Sequence, residues 1–391
     1  MISDVYFPRI NGVSTSIQTF RCELEKLGNE VFLLAPNYGD PYPDDDRTLR
    51  IESREIILDP EDRMMKFKEL VAKVEELRTL DFDLVHIHTP FVAHYGGVRI
   101  AKALGIPCVV TYHTLFEEYF YHYIPWLPKQ LLRYVARRFS VSQCNEVEGV
   151  ISPSSMILDL LKQYGVATKT VTLPTGINSL AFQSGDSERF RKEFNIPLDK
   201  KLLLNVSRVA FEKNISAIIE AYALLRNTRE DIHLVIAGEG PAKTHYIEMA
   251  FNLGLEDSIS FVGYLDRSTQ LVDCYHAADL FVFASKTETQ GLVLLEAMAA
   301  GTPVVSVAEM GTKNVLKEGL GVRITDGSAQ DFASKITEVI DNPKLYAELA
   351  QSAITYASEW DSLSLAQKLN DYYVEIVQTK HLDRPISVEQ F

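Results

Sequence analysis

Ser285-Lys-Thr-Glu-Thr-Gln-Gly-Leu-Val-Leu-Leu-Glu296-Ala-Met-Ala-Ala-Gly301-Thr-Pro303 follows directly on the apolar run Leu280-Phe-Val-Phe-Ala284. A run so short and so apolar predicts a parallel strand buried on both faces. Thr287 to Gly291 then turn the chain into an apolar helix beginning near Leu292, which Gly301, with Pro303 behind it, brings to an end. The strand therefore hands its C-terminal end to a helix N-terminus. There the N–H groups of Gln290, Gly291, Leu292 and Val293, which a helix start does not use within the helix, together with the positive helix end, favour an anion. Glu288 falls in the loop and Glu296 about a turn and a half into the helix. Two carboxylates beside an anion pocket suit hydroxyls rather than phosphate, and a sugar nucleotide carries hydroxyls on either side of its diphosphate. Taken singly, Glu288 reads as well as a solvated loop residue and Glu296 as an exposed helix residue.

Outward from this stretch, strand and helix patterns alternate through the chain, the mark of an α/β protein with doubly wound parallel sheets. At 391 residues the chain exceeds the size of one growing core, which predicts two domains. Its 46% hydrophobic and 24% charged residues are ordinary for globular cores. A net charge of −14 excludes a nucleic-acid binder with an all-positive surface. Cys22, Cys108, Cys144 and Cys274 show no Cys-x-x-Cys spacing, so neither a zinc site nor a disulfide framework is expected, and a reducing cytoplasm fits best. There is neither an apolar run long enough for a membrane span nor a signal segment at the start. A protein of this kind that works at a membrane lies on its inner face.

In the first half, Met1 to Val13 reads as a short strand and turn, with Gly12 where a backbone comes close to a ligand or simply turns. Val13, Ile17, Phe20, Leu24 and Leu27 then keep helical spacing up to Gly28. Val31–Pro36, Asp83–His88, Cys108–Thr114, Gly149–Ser154 and Thr170–Pro174 are further strand patterns, and Met64–Leu80 carries helical spacing. His113 ends its strand on the side where open α/β sheets bind ligands, though a hydrogen-bonded structural role is equally open to it. Aromatic residues from Phe116 to Trp126 lead into a basic amphipathic helix, with Leu132, Val135, Ala136 and Phe139 on one face and Lys129, Arg133 and Arg137 on another. Such a helix, with Trp126 at headgroup depth, can lie on a bilayer; packing on its own domain is the alternative.

The second half restarts the alternation near Phe190. Arg208 and Lys213, five residues apart across a strand-to-helix loop, suit a diphosphate, or else two surface salt bridges. Gly238-Glu-Gly240 alone is weak evidence for a dinucleotide, because the third glycine and the ribose-binding acid are not where that motif needs them. Ile259–Leu265 is another strand and turn, and Ser362–Thr379 is helical.

The nineteen residues from Ser285 to Pro303, with Glu288 and Glu296 separated by seven, closely resemble the signature of the retaining glycosyltransferases of family 4. Ser-Arg208-x-x-x-x-Lys213-Asn resembles that family's diphosphate clamp, with Ser207 in place of the commoner glycine. His88-Thr-Pro and Thr-Tyr-His113-Thr resemble its first-domain pattern, and Asn178 stands in a linker position that is more often aspartate. Thr287-Glu-Thr-Gln-Gly-Leu292 looks most like the branch that glucosylates diacylglycerol.

The resemblance, which runs from Ser3-Asp4 to about Gln378, implies a GT-B fold of two Rossmann-like domains facing across a cleft. They would be an acceptor domain of residues 1–178 plus a C-terminal helix of about 361–379, a nucleotide-sugar domain of residues 183–360, and a loose tail of 380–391. It implies transfer of a hexose, above all glucose from UDP-glucose, to a hydroxyl with retention and without a metal or other cofactor. Catalytic roles would fall to Glu288, His113, Arg208 and Lys213. Donor contacts would come from Gly12, Arg208, Lys213, Gly240, Tyr264, Leu265, Glu288, Gly291, Leu292, Val293 and Glu296, with the main chain around Tyr264 and Leu265 holding the base. Trp126, Lys129, Arg133 and Arg137 would meet the lipid or membrane. Soluble, polyol or polysaccharide acceptors, a mannosyl donor, a non-catalytic sugar-nucleotide sensor and a phosphorylase with a cofactor-bearing lysine are the rival expectations.

Overall fold

The computed structural model describes residues 1–39, 42–56, 59–113 and 129–382. Two compact units divide it: Met1–Gly176 with the helix Ser362–Leu382, and Ile177–Asp361.

The strands of the first unit are β1 Leu33–Pro36, β2 Thr48–Ile51, β3 Ser53–Ile56, β4 Asp59–Met65, β5 Val85–Ile87, β6 Cys108–Thr111, β7 Gly149–Ser152 and β8 Lys169–Thr172. β1 pairs with β2, and β5 to β8 form a parallel run in sequence order. The start of the chain joins the two sets, because Ile2 bridges both Leu34 and Ile87. The short strand expected at Met1 to Val13 is thus a single bridged residue, Ile2, in the middle of the sheet. Taken along the sheet, the order is β2, β1, the Ile2 segment, β5, β6, β7, β8. The chain starts in the interior, moves one way and returns to continue the other way, which puts a switch point beside Ile2 and β5.

The helical spacing expected over Met64–Leu80 is realised only in part. Met64 and Met65 close the antiparallel hairpin β3–β4, and the helix opens at Phe67 and breaks at Lys73 into Phe67–Ala72 and Val74–Leu77. The C-terminal helix extends to Leu382, and Lys380 donates to Glu148 at 2.5 Å, so it is not part of a loose tail. Among the described residues no helix is long and apolar enough to cross a membrane.

The second unit contains β9 Lys201–Val206, β10 Ile232–Ala237, β11 Ile259–Gly263, β12 Leu280–Phe283, β13 Val304–Val307 and β14 Val322–Thr325. All are parallel, in the order β11-β10-β9-β12-β13-β14. The alternation of side chains fills both faces. Leu202, Leu204, Val235, Phe281 and Phe283 pack into one core, while Leu203, Leu234, Ile236, Leu280 and Val282 pack into the other. That is why Leu280–Phe283 could be apolar at every position. The order reverses between β9 and β12, where the crossover helices diverge to opposite faces and the two following loops lie side by side.

Candidate active site

The loop after β9 carries Arg208 and Lys213, and the loop after β12 carries Glu288, so the switch point brings together groups distant in sequence. Lys213 Nζ lies 2.5 Å from Glu288 Oε1. The loop after β9 is shaped by Asn214 in a left-handed conformation (φ 52°), whose amide reaches the carbonyl of Ala284 at 3.4 Å. Arg208 Nη1 stands 4.0 Å from Glu212 Oε1.

The helix Leu292–Ala299 starts as its sequence implies, from Gly291 with φ +87° and without a side-chain cap. Leu294 N–H folds back onto the Gly291 carbonyl at 3.1 Å, and the next N–H groups toward the helix start belong to the half-buried Leu292 and Val293. Gly301 N–H donates to Met298 and Thr302 N–H to Ala297, which ends the helix in a left-handed glycine turn. A brace not read from the sequence holds this loop. Gly311 N–H donates to the Glu288 carbonyl at 2.9 Å, and a Cβ on Gly311 would stand 1.8 Å from the Thr289 carbonyl oxygen. The glycine admits a backbone-to-backbone approach that no other residue allows.

Glu296 is not the exposed helix residue that its position alone allowed. It is buried, its Oε1 taken by Arg267 Nη2 at 2.6 Å and its Oε2 by the Tyr275 hydroxyl at 2.8 Å. The Glu296 charge pushes the Arg267 pKa up, and burial pushes the Tyr275 hydroxyl well above its usual range. Each carboxylate oxygen keeps a second lone pair, so one further hydroxyl contact is within its capacity. Arg267 and Tyr275 bear no spacing relation to Glu296, and no sequence signal marked them.

Gly238 and Gly240 serve the chain itself. A Cβ on Gly238 would stand 2.0 Å from the Ser207 carbonyl oxygen, and one on Gly240 would stand 2.4 Å from that of Val209. Gly240 therefore lets its loop pack against the backbone of the loop that carries Arg208 and Lys213. Leu265 is in the core, leaving only its main chain for a ligand, whereas Tyr264 is 44% exposed.

In the first unit, Asp4 accepts from Thr89 Oγ1 at 2.9 Å and from Ala93 N–H at 3.1 Å, tying the Ile2 segment to the loop after β5. Burial raises its pKa to about 6 against those hydrogen bonds. Gly12 opens the exposed start of the helix Gly12–Lys26, and a Cβ there would meet nothing within 4 Å. Its own chain does not require the glycine. His113 Nε2 lies 3.2 Å from His88 Nδ1, and burial lowers the His113 pKa to about 4.

The basic helix is Lys129–Cys144. Leu132 and Ala136 face inward as expected, but Val135 is 47% exposed and forms an outward stripe with Leu131 and Tyr134. Arg137 is not directed to a lipid: it donates to the carbonyls of Gln163 at 3.1 Å and Tyr164 at 3.3 Å and lies over the Tyr164 ring. Those carbonyls end the neighbouring helix Ser155–Tyr164, whose negative end the guanidinium caps. Arg133 and Arg138 are exposed. Trp126 and the Lys129 side chain lie outside the described residues.

A doubly wound unit with cations and a glycine-opened helix at its switch point is an arrangement suited to an anion such as a phosphate group. The model of the glycosyl transferases group 1 matches residues 186–358, and that of Glycosyltransferase Family 4 matches residues 10–179. Among curated proteins, the alpha-monoglucosyldiacylglycerol synthase of Streptococcus pneumoniae is 31% identical, covering 99% of this chain and 88% of that protein. The synthase of the same name from Acholeplasma laidlawii is 26% identical over 98% of this chain and 96% of its own. Among solved structures, Anabaena HepE in complex with UDP and glucose superposes with a TM-score of 0.76 at 17% identity, over 96% of this chain and 99% of that one. The chain belongs to glycosyltransferase family 4, has the GT-B fold and is a hexosyltransferase.

Proposed function

We propose that the protein transfers glucose from UDP-glucose to the hydroxyl of a diacylglycerol-type lipid, with retention and without a metal ion. The observation that carries this reading is the meeting of Lys213 and Glu288 at the switch point of β9 and β12, beside the helix that opens at Leu292.

As the diphosphate leaves, the anomeric carbon gains oxocarbenium character. Arg208, Lys213 and the amides of Gly291 to Val293 stabilise the departing negative charge. The leaving phosphate oxygen takes the acceptor proton on the same face, which keeps the anomeric configuration. Glu288 orients the sugar hydroxyls, Glu296 a ribose hydroxyl through its remaining lone pair, and His113 the 6-hydroxyl side of the sugar as a neutral imidazole. The main chain at Tyr264 and Leu265 holds the base, and Gly12 is a further donor contact.

A lipid acceptor is favoured by the outward stripe of Leu131, Tyr134 and Val135 with Arg133 and Arg138 around it, which suits shallow insertion at a bilayer surface. The names of the two similar sequences point to the same acceptor. The test is incubation of the full chain with UDP-glucose and diacylglycerol vesicles in the presence of a chelator, and separately with soluble acceptors. We expect a retained glucosyl lipid, and losses of about 100-fold or more in folded Arg208→Ala and Glu288→Gln. Near-normal turnover in both variants removes the site. Transfer only to a soluble acceptor removes the lipid.

A further inference from the structure

His86, in the middle of β5, stands in a row with His88 and His113, which follow the C-terminal ends of β5 and β6. His86 is held on both nitrogens, Nδ1 by the Tyr373 hydroxyl at 2.5 Å and Nε2 by Thr111 Oγ1 at 2.7 Å. Its ring lies against that of His88, with centroids 3.9 Å apart and planes 34° from each other. That contact fixes the His88 ring, which is 1% exposed, with Nδ1 aimed at His113 Nε2 3.2 Å away. His88 Nε2 is buried and, among the described residues, has no hydrogen-bond partner.

We propose that His88 is a positioning residue that donates its Nδ1–H to His113 Nε2 and so holds His113 in the tautomer carrying its proton on Nδ1. Burial lowers the pKa of His88 well below 6.5 and that of His113 to about 4, so both rings are neutral near pH 7 and a single proton lies between the facing nitrogens. Two arrangements satisfy that contact. If His113 were the donor, the His88 proton would sit on Nε2, leaving a buried N–H without an acceptor, a defect native interiors almost never carry. If His88 is the donor, its buried Nε2 is a bare lone pair, and His113 presents Nδ1–H as a fixed donor.

For hexose transfer the consequence is a donor of one sign. A ring free to exchange tautomers would offer a sugar oxygen an N–H only part of the time, and His88 removes that ambiguity before the substrate binds. This consequence rests on the hexose-transfer reading, whereas the tautomer itself does not.

The experiment is nitrogen NMR of the full chain labelled at histidine, with His113 assigned from its loss in His113→Gln, alongside steady-state transfer assays. In the wild type, His113 is expected to carry its proton on Nδ1. In His88→Phe, which keeps the ring volume but has no donor, it shifts toward the Nε2–H form, and kcat falls by about 10- to 100-fold with little change in the donor KM. His88→Asn, whose side-chain amide can donate from near the Nδ1 position, restores the tautomer and most of kcat. A wild-type His113 protonated at Nε2 overturns the proposal, and so does an unchanged tautomer in folded His88→Phe; should that variant not fold, the wild-type spectrum and His88→Asn decide. Undiminished kcat in His88→Phe with a switched tautomer overturns the positioning role. The expected tautomers with no hexose transfer by any form would leave the His88 assignment standing and remove the transfer reading instead.

Discussion

Lys213 and Glu288 neutralise each other in the ligand-free protein, so a diphosphate that takes the lysine competes with the carboxylate. Glu288→Gln keeps the shape and removes the competing charge. UDP is then expected to bind about 3- to 10-fold more tightly, while hexose transfer collapses because the bonds from the carboxylate to the sugar are lost. Lys213→Met should weaken UDP instead, and calorimetric titration of both variants separates the effects. Equal weakening in the two would mean that the pair acts as a unit in binding. The residue types of this pair were legible in their strings, but their contact spans 75 positions and follows only from the order of the strands. Glu296 was legible as a motif member and misleading as a surface group. What buries it is Arg267 and Tyr275, and Tyr275 sits in an apolar stretch whose pattern registers the ring and not the hydroxyl.

The helix Lys129–Cys144 shows the same limit at the next scale. Its apolar spacing put Val135 and Ala136 on one face with Leu132 and Phe139, yet of these only Ala136 and Leu132 are buried, beside a polar contact. Ser140, 1% exposed, pairs with the buried Tyr112 hydroxyl at 2.8 Å, turning Leu132, Ala136 and Ser140 inward and Val135 outward. Hydrophobic periodicity cannot register a buried serine. By contrast, the helix Leu292–Ala299 was readable end to end, since a glycine entrance and a glycine exit leave little freedom in where it starts and stops. The outward stripe carries a prediction for the element. Val135→Asp and Tyr134→Asp should abolish binding to vesicles containing anionic lipid and leave the melting temperature within about 2 °C, whereas Leu132→Asp, placed in the core, should unfold the unit. Vesicle sedimentation with thermal melting checks both. Unaltered sedimentation of the first two variants would take the membrane role away from this face.

At the scale of the chain, both switch points follow from where each unit's chain enters its sheet, and alternation alone predicts that the order reverses without saying between which strands. The units also differ in what acid does to them. Burial lowers the pKa of His86, His88, His94 and His113 in the first unit, while in the second it lowers that of His233, to about 4. An imidazole whose pKa falls on folding binds its proton more readily in the unfolded chain, so the stability it affects is intact above about 6.5 and is lost as pH falls toward the folded value. Asp4 works the other way. Its pKa rises on folding to about 6, so the folded chain binds that proton more tightly, and the contribution declines as pH rises from about 4 to about 6. Four imidazoles against one carboxyl leave the first unit the more acid-sensitive, whereas the second, which holds the Lys213 and Glu288 pair, has one imidazole in the same window. Hydrogen exchange of the full chain at pH 7.5 and pH 5.5, corrected for intrinsic rates, should therefore show amides of β5 to β8 losing protection while those of β9, β10 and β12 keep theirs. Added UDP should raise protection in the second set at both pH values. If acid loosens the second set first, the burial of the four histidines of the first unit is not what governs the acid response of this protein.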